Sequence, residues 1–268
     1  MTDNCVTLNI ENDIALVTLN RPHKRNALDM SMFKAIDSIS RQLRRNRDIR
    51  AVIVQGNGED FCSGLDVKSV LKEKSSALRL LAKWLPGRAN LAQRVSYNWR
   101  RIPVPVFMVI HGRCWGGGMQ IALGADFRFV SNDSSFSIME GKWGLIPDMG
   151  GNLALREVVS KDVALKLVMT AEIISAQEAL ACGLVTNVSD NPLQQAMELI
   201  AQINERSPDA VAAVKKLYQR TWLKTDWWML ARESYYQVRI LFGKNQGIAV
   251  KRQLKPDQEH TYLKRKKW

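Results

Sequence analysis

Three consecutive glycines, Gly116, Gly117 and Gly118, stand between the apolar run 104–110 (VPVFMVI) and a segment, MQIALGADFRFV, whose first half has helical character. Prolines at Pro103 and Pro105 and the pair His111-Gly112 delimit the run, and its β-branched content suits a buried strand. A strand that passes through bare backbone into a helix start presents unpaired N–H groups, and the helix dipole favours negative charge there. Such a turn suits an anion, or an oxygen on which charge develops during a reaction. The same glycines equally suit close packing of a helix on a strand. A second place of this kind follows the strand AVIVQGNG, where DFCSGLDVKSV again leaves backbone uncovered ahead of a helix.

Charge is the other chemical feature. The 268 residues carry 39 Lys and Arg against 26 Asp and Glu, a formal net charge of +13 at pH 7. Arg41, Arg44, Arg45, Arg47 and Arg50 crowd one stretch, and Lys264-Arg265-Lys266-Lys267 lies at the other end of the sequence. Each run by itself reads as a solvated face or a frayed tail, while the overall excess suits RNA, anionic lipid or a phosphorylated small molecule. Neither zinc-finger spacing nor an aromatic RNA-binding pattern occurs, so nucleic acid is not an expected partner. Cys5, Cys62, Cys114 and Cys182 are scattered without CxxC spacing, which argues against a metal site or a disulfide framework and leaves them as packed thiols. No run of about 18 apolar residues predicts a membrane span, and the absence of a basic-then-apolar leader predicts a cytoplasmic protein.

These residues need elements to position them. Two short strands, 7–10 and Ile14–Leu19, flank the hairpin-like turn Glu11-Asn12-Asp13. A helix is predicted over Met30–Arg45, where Met32, Phe33, Ile36, Ile39 and Leu43 recur at helical spacing. The repeated order of strand, glycine loop and helix is the signature of parallel crossover units. Residues 71–85 and 88–101 read as helices broken by Pro86-Gly87, a candidate lid or pocket wall. DFRFVSNDSSFSIME predicts two short strands, and GKWGLIPDMGGNLAL a glycine-punctuated turn before a helix. An amphipathic segment at 160–169 follows, then SAQEALACGLV, a helix with a serine cap and a stop at Gly183. From Pro192 onward the pattern is helical throughout, over 193–203, 208–224 and 227–241. The expected organisation is therefore a core over 1–191 and a helical region over 192–268.

Five segments carry a family resemblance: NRPHKRNAL (20–28), FCSGLDVK (61–68), HGRCWGGGMQIALGADFRF (111–129), FSIMEGKWGLIPDMGG (136–151) and SAQEALACGLV (175–185). In this order and at these separations the chain resembles the enoyl-CoA hydratase/isomerase (crotonase) superfamily over most of its length. The resemblance implies an α/β fold, a ββα superhelix or spiral core, with a C-terminal α-helical region that builds subunit contacts in a homo-trimer or hexamer. It implies an acyl-CoA thioester substrate, with CoA arriving as part of the substrate and no separate cofactor. By motif position, the N–H groups of Leu65 and Gly117 form an oxyanion hole for the thioester carbonyl. Lys24 and Arg25 are placed to meet CoA phosphates, and Asp66, Val67 and Lys68 to contact its adenine and pantetheine parts. Ala27, Ser63, Gly116, Gln120, Met139 and Pro147 complete the implied substrate contacts.

The resemblance breaks at one catalytic position. Hydratases of the superfamily hold and activate water with two glutamates; one matches Glu140, but Gln120 stands at the other. An amide does not accept a proton at neutral pH, so activation by two carboxylates is lost. Asp148, eight residues after Glu140, supplies a different carboxylate, and the Glu140/Asp148 pair resembles that of the dienoyl-CoA isomerases, which carry an aspartate where Gln120 stands. Burial and mutual repulsion would push the two proton affinities apart, as an acid and a base require. Double-bond isomerisation is accordingly the first expectation. A hydratase, hydrolase or lyase of the same superfamily is the second, and a non-catalytic acyl-CoA- or RNA-binding protein the third. Outside the family context Glu140 reads as a surface acid beside Lys142, and Asp148 as a helix N-cap.

Overall fold

A hairpin opens the structure, a computed structural model that describes residues 5–67, 69 and 79–268. Strands β1 (Val6–Glu11) and β2 (Ile14–Leu19) pair antiparallel across Asn12 and Asp13, whose φ values of 48° and 63° give the mirror-image turn that matches strand twist. Helix α1 (Met30–Arg45) starts where Asp29 caps the Met32 N–H at 2.9 Å, and buries Met32, Phe33, Ile36 and Leu43. Strand β3 (Ala51–Gly56) then lies parallel to β2.

From there the chain alternates between two sheets. Strand β4 (Val106–Ile110) joins the large sheet and β5 (Arg113–Trp115) the small one; β6 (Phe127–Val130) returns to the large sheet and β7 (Ser135–Ser137) to the small. With β8 (Ile174–Ser175) and β9 (Asn187–Val188), the large sheet has the order β1-β2-β3-β4-β6-β9 and the small one β5-β7-β8. Bridges between Leu28 and Leu65, and between Cys62 and Cys114, stack the preceding loops on the small sheet. Each turn of the spiral thus lays one loop beside the next.

The apolar runs of β3 and β4 are explained by cover on both faces. Val52, Val54, Val106 and Met108 face one cluster with α1 and with α2 (Leu91–Arg100), whereas Ile53, Phe107, Val109 and Phe129 face a second one. Ala196 and Ile200 of α7 (Pro192–Asn204) seal that second cluster. Between lie α3 (Gly117–Ala122), α4 (Asn152–Val158), α5 (Lys161–Thr170) and α6 (Ala176–Ala181), the last with the expected Ser175 cap and Gly183 at φ 81°. Helices α8 (Pro208–Thr221), α9 (Asp226–Leu241) and α10 (Lys244–Leu254) follow.

Several boundaries differ from expectation. Residues 71–78 of the predicted helix 71–85 lie outside the described residues; 79–81 are helical, but 82–90 form turns and bends. Helix α2 begins at Leu91 rather than at 88, because Asn90 and Gln93 close a capping box there. Residues 255–268 are irregular, not helical. Side-chain anchors replace a backbone ladder in this tail: Asp209 accepts from the Lys266 N–H at 2.6 Å and from Trp268 Nε1 at 3.0 Å. Among the described residues no helix is long and apolar enough to cross a membrane.

Candidate active site

Two glycine loops meet at the edge of the small sheet. In the first, Gly64 adopts φ 101°, its carbonyl accepts from the Leu28 N–H at 2.8 Å, and the Asp66 N–H is given to Leu28 at 3.0 Å. The intervening Leu65 N–H meets no acceptor among the described residues. In the second, Gly116 adopts φ 49° and donates its N–H to Ser137 at 2.8 Å, so that Gly117 opens α3 with its own N–H unpaired. A Cβ built on Gly64 would lie 3.0 Å from the Trp115 carbonyl oxygen and 3.5 Å from the Gly117 nitrogen. The glycines therefore serve both readings at once: close packing is what brings the two free donors together.

Packing also fixes these loops from below. A Cβ on Gly118 would stand 2.5 Å from the Cys62 carbonyl oxygen, a distance no real side chain tolerates. Asn26, fully buried, donates to the carbonyls of Asn57 and Asp60 at 2.9 and 2.8 Å and accepts from the Arg21 N–H at 2.8 Å. Arg21 binds the Ala27 carbonyl at 2.6 Å and pairs with Asp29 and Asp66 at 3.2 and 3.5 Å. Arg21 and Asn26 were missed as candidates although both lie in NRPHKRNAL; their long-range partners, which alone reveal the role, have no local signature. Cys62 and Cys114 are free, buried thiols, and burial pushes the Cys62 thiol up to about 12, so both stay protonated.

Gln120 and Glu140 come together against the second loop. Gln120 is 1% exposed, and its carbonyl oxygen accepts from the Met149 N–H at 2.8 Å and the Gly151 N–H at 3.4 Å. The amide nitrogen must then face the other way, where it donates to Glu140 Oε1 at 2.5 Å. Glu140 Oε2 is buried with no hydrogen-bond partner among the described residues. The Cβ position of Gly116 is 3.9 Å from Glu140 Oε1 and 3.9 Å from the Gly64 Cα, which puts this carboxylate next to the paired donors. Burial raises the proton affinity of Glu140; the Gln120 bond opposes the shift, and the negative charge of Asp148 adds to it.

Asp148 sits on the exposed loop between buried Pro147 and buried Met149. Desolvation by the surrounding loop raises its carboxyl as well. It caps no helix, because α4 begins at Asn152 with Gly151 at the cap and no side-chain bond. Nor is Glu140 a free surface acid: it is half-buried and bound to Gln120, while Lys142 two residues on is exposed. A hollow of about 470 Å³ lies between Asp148 and the segment 83–93.

The remaining candidates are more dispersed. Lys24 and Arg25 are exposed, with Arg25 Nε 3.9 Å from Asp60. Ala27, Ser63, Val67 and Met139 are half-buried, and Asp66 is engaged by Arg21. Lys68 lies outside the described residues. Arg252 pairs with Glu205 at 2.5 Å.

The chain as a whole is similar to known proteins. A family model described as enoyl-CoA hydratase/isomerase matches residues 9–241. The mitochondrial Delta(3,5)-Delta(2,4)-dienoyl-CoA isomerase of Homo sapiens is 32% identical over 214 residues, which cover 76% of this chain and 65% of that protein. The (E)-benzylidenesuccinyl-CoA hydratase of Thauera aromatica is 35% identical over 184 residues, covering 68% of this chain and 69% of its own length. A crystal structure of enoyl-CoA hydratase from Mycobacterium smegmatis superposes with a TM-score of 0.86 over 96% of this chain and 98% of that one, at 23% identity, and so has the same fold.

Proposed function

Because the chain belongs to the enoyl-CoA hydratase/isomerase family, we propose that it shifts a carbon–carbon double bond in an enoyl- or dienoyl-CoA thioester. The observation that carries this reading is the amide beside Glu140. Gln120 spends its oxygen on two backbone N–H groups and its nitrogen on Glu140 Oε1, so one carboxylate faces the donors where two would be needed to grip and ionise water. What is left free is Glu140 Oε2, a desolvated proton acceptor.

In the proposed mechanism the thioester carbonyl oxygen accepts from the N–H groups of Leu65 and Gly117. Glu140 Oε2 takes a proton from the acyl chain; the C–H electron pair spreads into a dienolate whose charge rests on that oxygen. Each donor aimed at the developing charge is worth about 3–4 kcal/mol in a dry site. Reprotonation at the shifted carbon by Glu140, or by a protonated Asp148 that then regains its proton as Glu140 gives one up to solvent, completes the transfer with no water added to the substrate. Lys24 and Arg25 are exposed where phosphates of CoA would be met, and the reaction asks for no further cofactor.

A second reading, water addition with Glu140 as the single carboxylate, is favoured by the match to a relative named as a hydratase. Turnover on 2-enoyl-, 3-enoyl- and 3,5-dienoyl-CoA separates the two. The isomerase reading expects activity on the 3-enoyl or 3,5-dienoyl substrates, lost in Glu140→Gln and reduced in Asp148→Asn with CoA binding retained. Wild-type rates in both variants would refute the mechanism, and water addition to the 2-enoyl substrate alone would install the second reading.

A further inference from the structure

The two basic runs of the sequence, more than two hundred residues apart, end up in one cleft. Arg44 and Arg45 at the end of α1, Arg101 after α2, and Lys267 and Trp268 of the tail line a hollow of about 1070 Å³. A smaller hollow of about 220 Å³ shares Arg44, Arg101 and Trp268 with it and adds Lys216 and Arg220 of α8. No Asp or Glu side chain lines either hollow among the described residues. Asp37, beneath the floor, is already shared by Arg41 and Arg94 at 2.6 and 2.9 Å.

The tail is held there by backbone contacts and by the Lys264–Asp48 ion pair at 2.7 Å. Arg47 Nε donates to the Arg265 carbonyl at 2.7 Å, and the Arg265 guanidinium to the Asn46 carbonyl at 2.6 Å. Arg44, Arg45 and Arg101 are thus drawn together without an ion-pair partner of their own among the described residues, whereas Arg41 and Arg94 share Asp37. Lys216 registers the cost: burial and then Arg220, Arg239 and Arg44 push its ammonium down to about 8. Flat rings are interleaved with the cations. Arg101 lies over Tyr97 at 5.6 Å, Trp268 forms one wall, and Trp84 at the rim is 89% exposed. None of Lys24, Arg25, Leu65, Gly117 or Glu140 borders the cleft, which adjoins the hollow at Asp148 along Lys83, Gly87, Arg88, Ala89 and Tyr97.

We infer that this cleft is a binding site for a nucleotide-type polyanion, several adjacent phosphates bearing a flat ring, distinct from the Leu65, Gly117 and Glu140 groups that meet the thioester. Guanidinium groups match phosphate geometry, the exposed Trp84 indole can accept a stacked base, and the volume suits a ligand of this size. A second copy of this chain is the wrong occupant, since it brings the same +13 charge. Free nucleotides and a single strand offer the same chemistry, and the inference is independent of the acyl-site reading.

The test is fluorescence anisotropy with labelled ATP, labelled 3′,5′-ADP and a labelled ten-nucleotide single strand, with and without saturating CoA. Binding should weaken at least about tenfold in Arg44→Glu/Arg101→Glu and stay within about twofold in Lys161→Glu/Lys255→Glu, which changes net charge equally away from the cleft. Binding of the strand alone assigns a polymeric source, and binding of the nucleotides a free one. Equal losses in both double variants, one-for-one displacement by CoA, or binding of none of the three ligands would overturn the inference. Thermal melting controls for folding: relief of repulsion predicts that ligand-free Arg44→Gln melts no lower than wild type.

Discussion

Gln120 differs from a glutamate by one nitrogen, and the structure gives that nitrogen a single place to point. Its oxygen is held by the Met149 and Gly151 N–H groups, so the amide faces Glu140 as a donor. Gln120→Glu would keep those two bonds and set two carboxylates against each other at a contact that is now 2.5 Å. Both cannot ionise at that separation, so one proton becomes shared. The expected outcome is a gain of water addition to 2-enoyl-CoA and an isomerisation pH profile displaced to higher pH; an unchanged product spectrum would reduce Gln120 to a structural clamp. Glu140 itself must be ionised to take a proton, and burial holds its proton above the ordinary glutamate range. Activity should therefore rise with pH through a midpoint above that range. Stability runs the opposite way: a carboxyl whose proton affinity is raised by folding stabilises most at pH below its unfolded value, and that contribution is lost as pH climbs through the folded one. Glu140→Gln is expected to lower kcat about 10²- to 10⁴-fold and to raise the melting temperature at pH 7. Steady-state kinetics and differential scanning calorimetry on the same preparation check both.

At the scale of elements, the site depends on how closely consecutive turns of the spiral approach. Gly118 sits on the Cys62 carbonyl, and its first-turn neighbour Gly117 on Leu28 and Met149, with Cβ positions at 2.5, 2.9 and 3.1 Å from these groups. Gly118→Ala should cost about 1–3 kcal/mol in urea unfolding by overpacking against backbone, and should lower kcat by prising the two donor loops apart. Gly87→Ala, with no atom within 4 Å of the added methyl and no positive φ, is the matched neutral change. Helix ends were legible where local chemistry sets them: Asp29 caps α1, and Ser175 with Glu178 closes a capping box on α6. Misplaced boundaries fell where a different local bond won, as at Asn90. The strand β5 had no readable signal because its three residues pair only with distant ones, Arg113 to Trp115 with Ser135 to Ser137.

The whole molecule leaves apolar surface that a single chain does not cover. A hollow of about 760 Å³ is bordered by Pro105, Phe127, Val211, Val214 and Trp222, and Trp222, Trp227 and Phe242 are 57%, 66% and 84% exposed. On the self-association that the resemblance implies, light scattering behind size exclusion should give three or six times the 30.4 kDa chain, and Trp222→Arg should lower that mass; a monomer would refute it. How much of this was readable beforehand follows from the range of each interaction. The sequence by itself determined the alternation of strands, glycine loops and helices, the α/β class, the two loops with bare N–H groups and the identities of Gln120, Glu140 and Asp148. Those depend on periodicity, capping and backbone freedom within a few residues. Tertiary structure alone decided that the Gly64 loop packs against Trp115 and Gly117, that Gln120 turns its amide nitrogen to a glutamate twenty residues away, and that Arg44 and Trp268 share a cleft. Each of these is a contact between successive turns of the spiral or between its first helix and its last residues. No local pattern encodes such a contact, because it exists only once the core has closed.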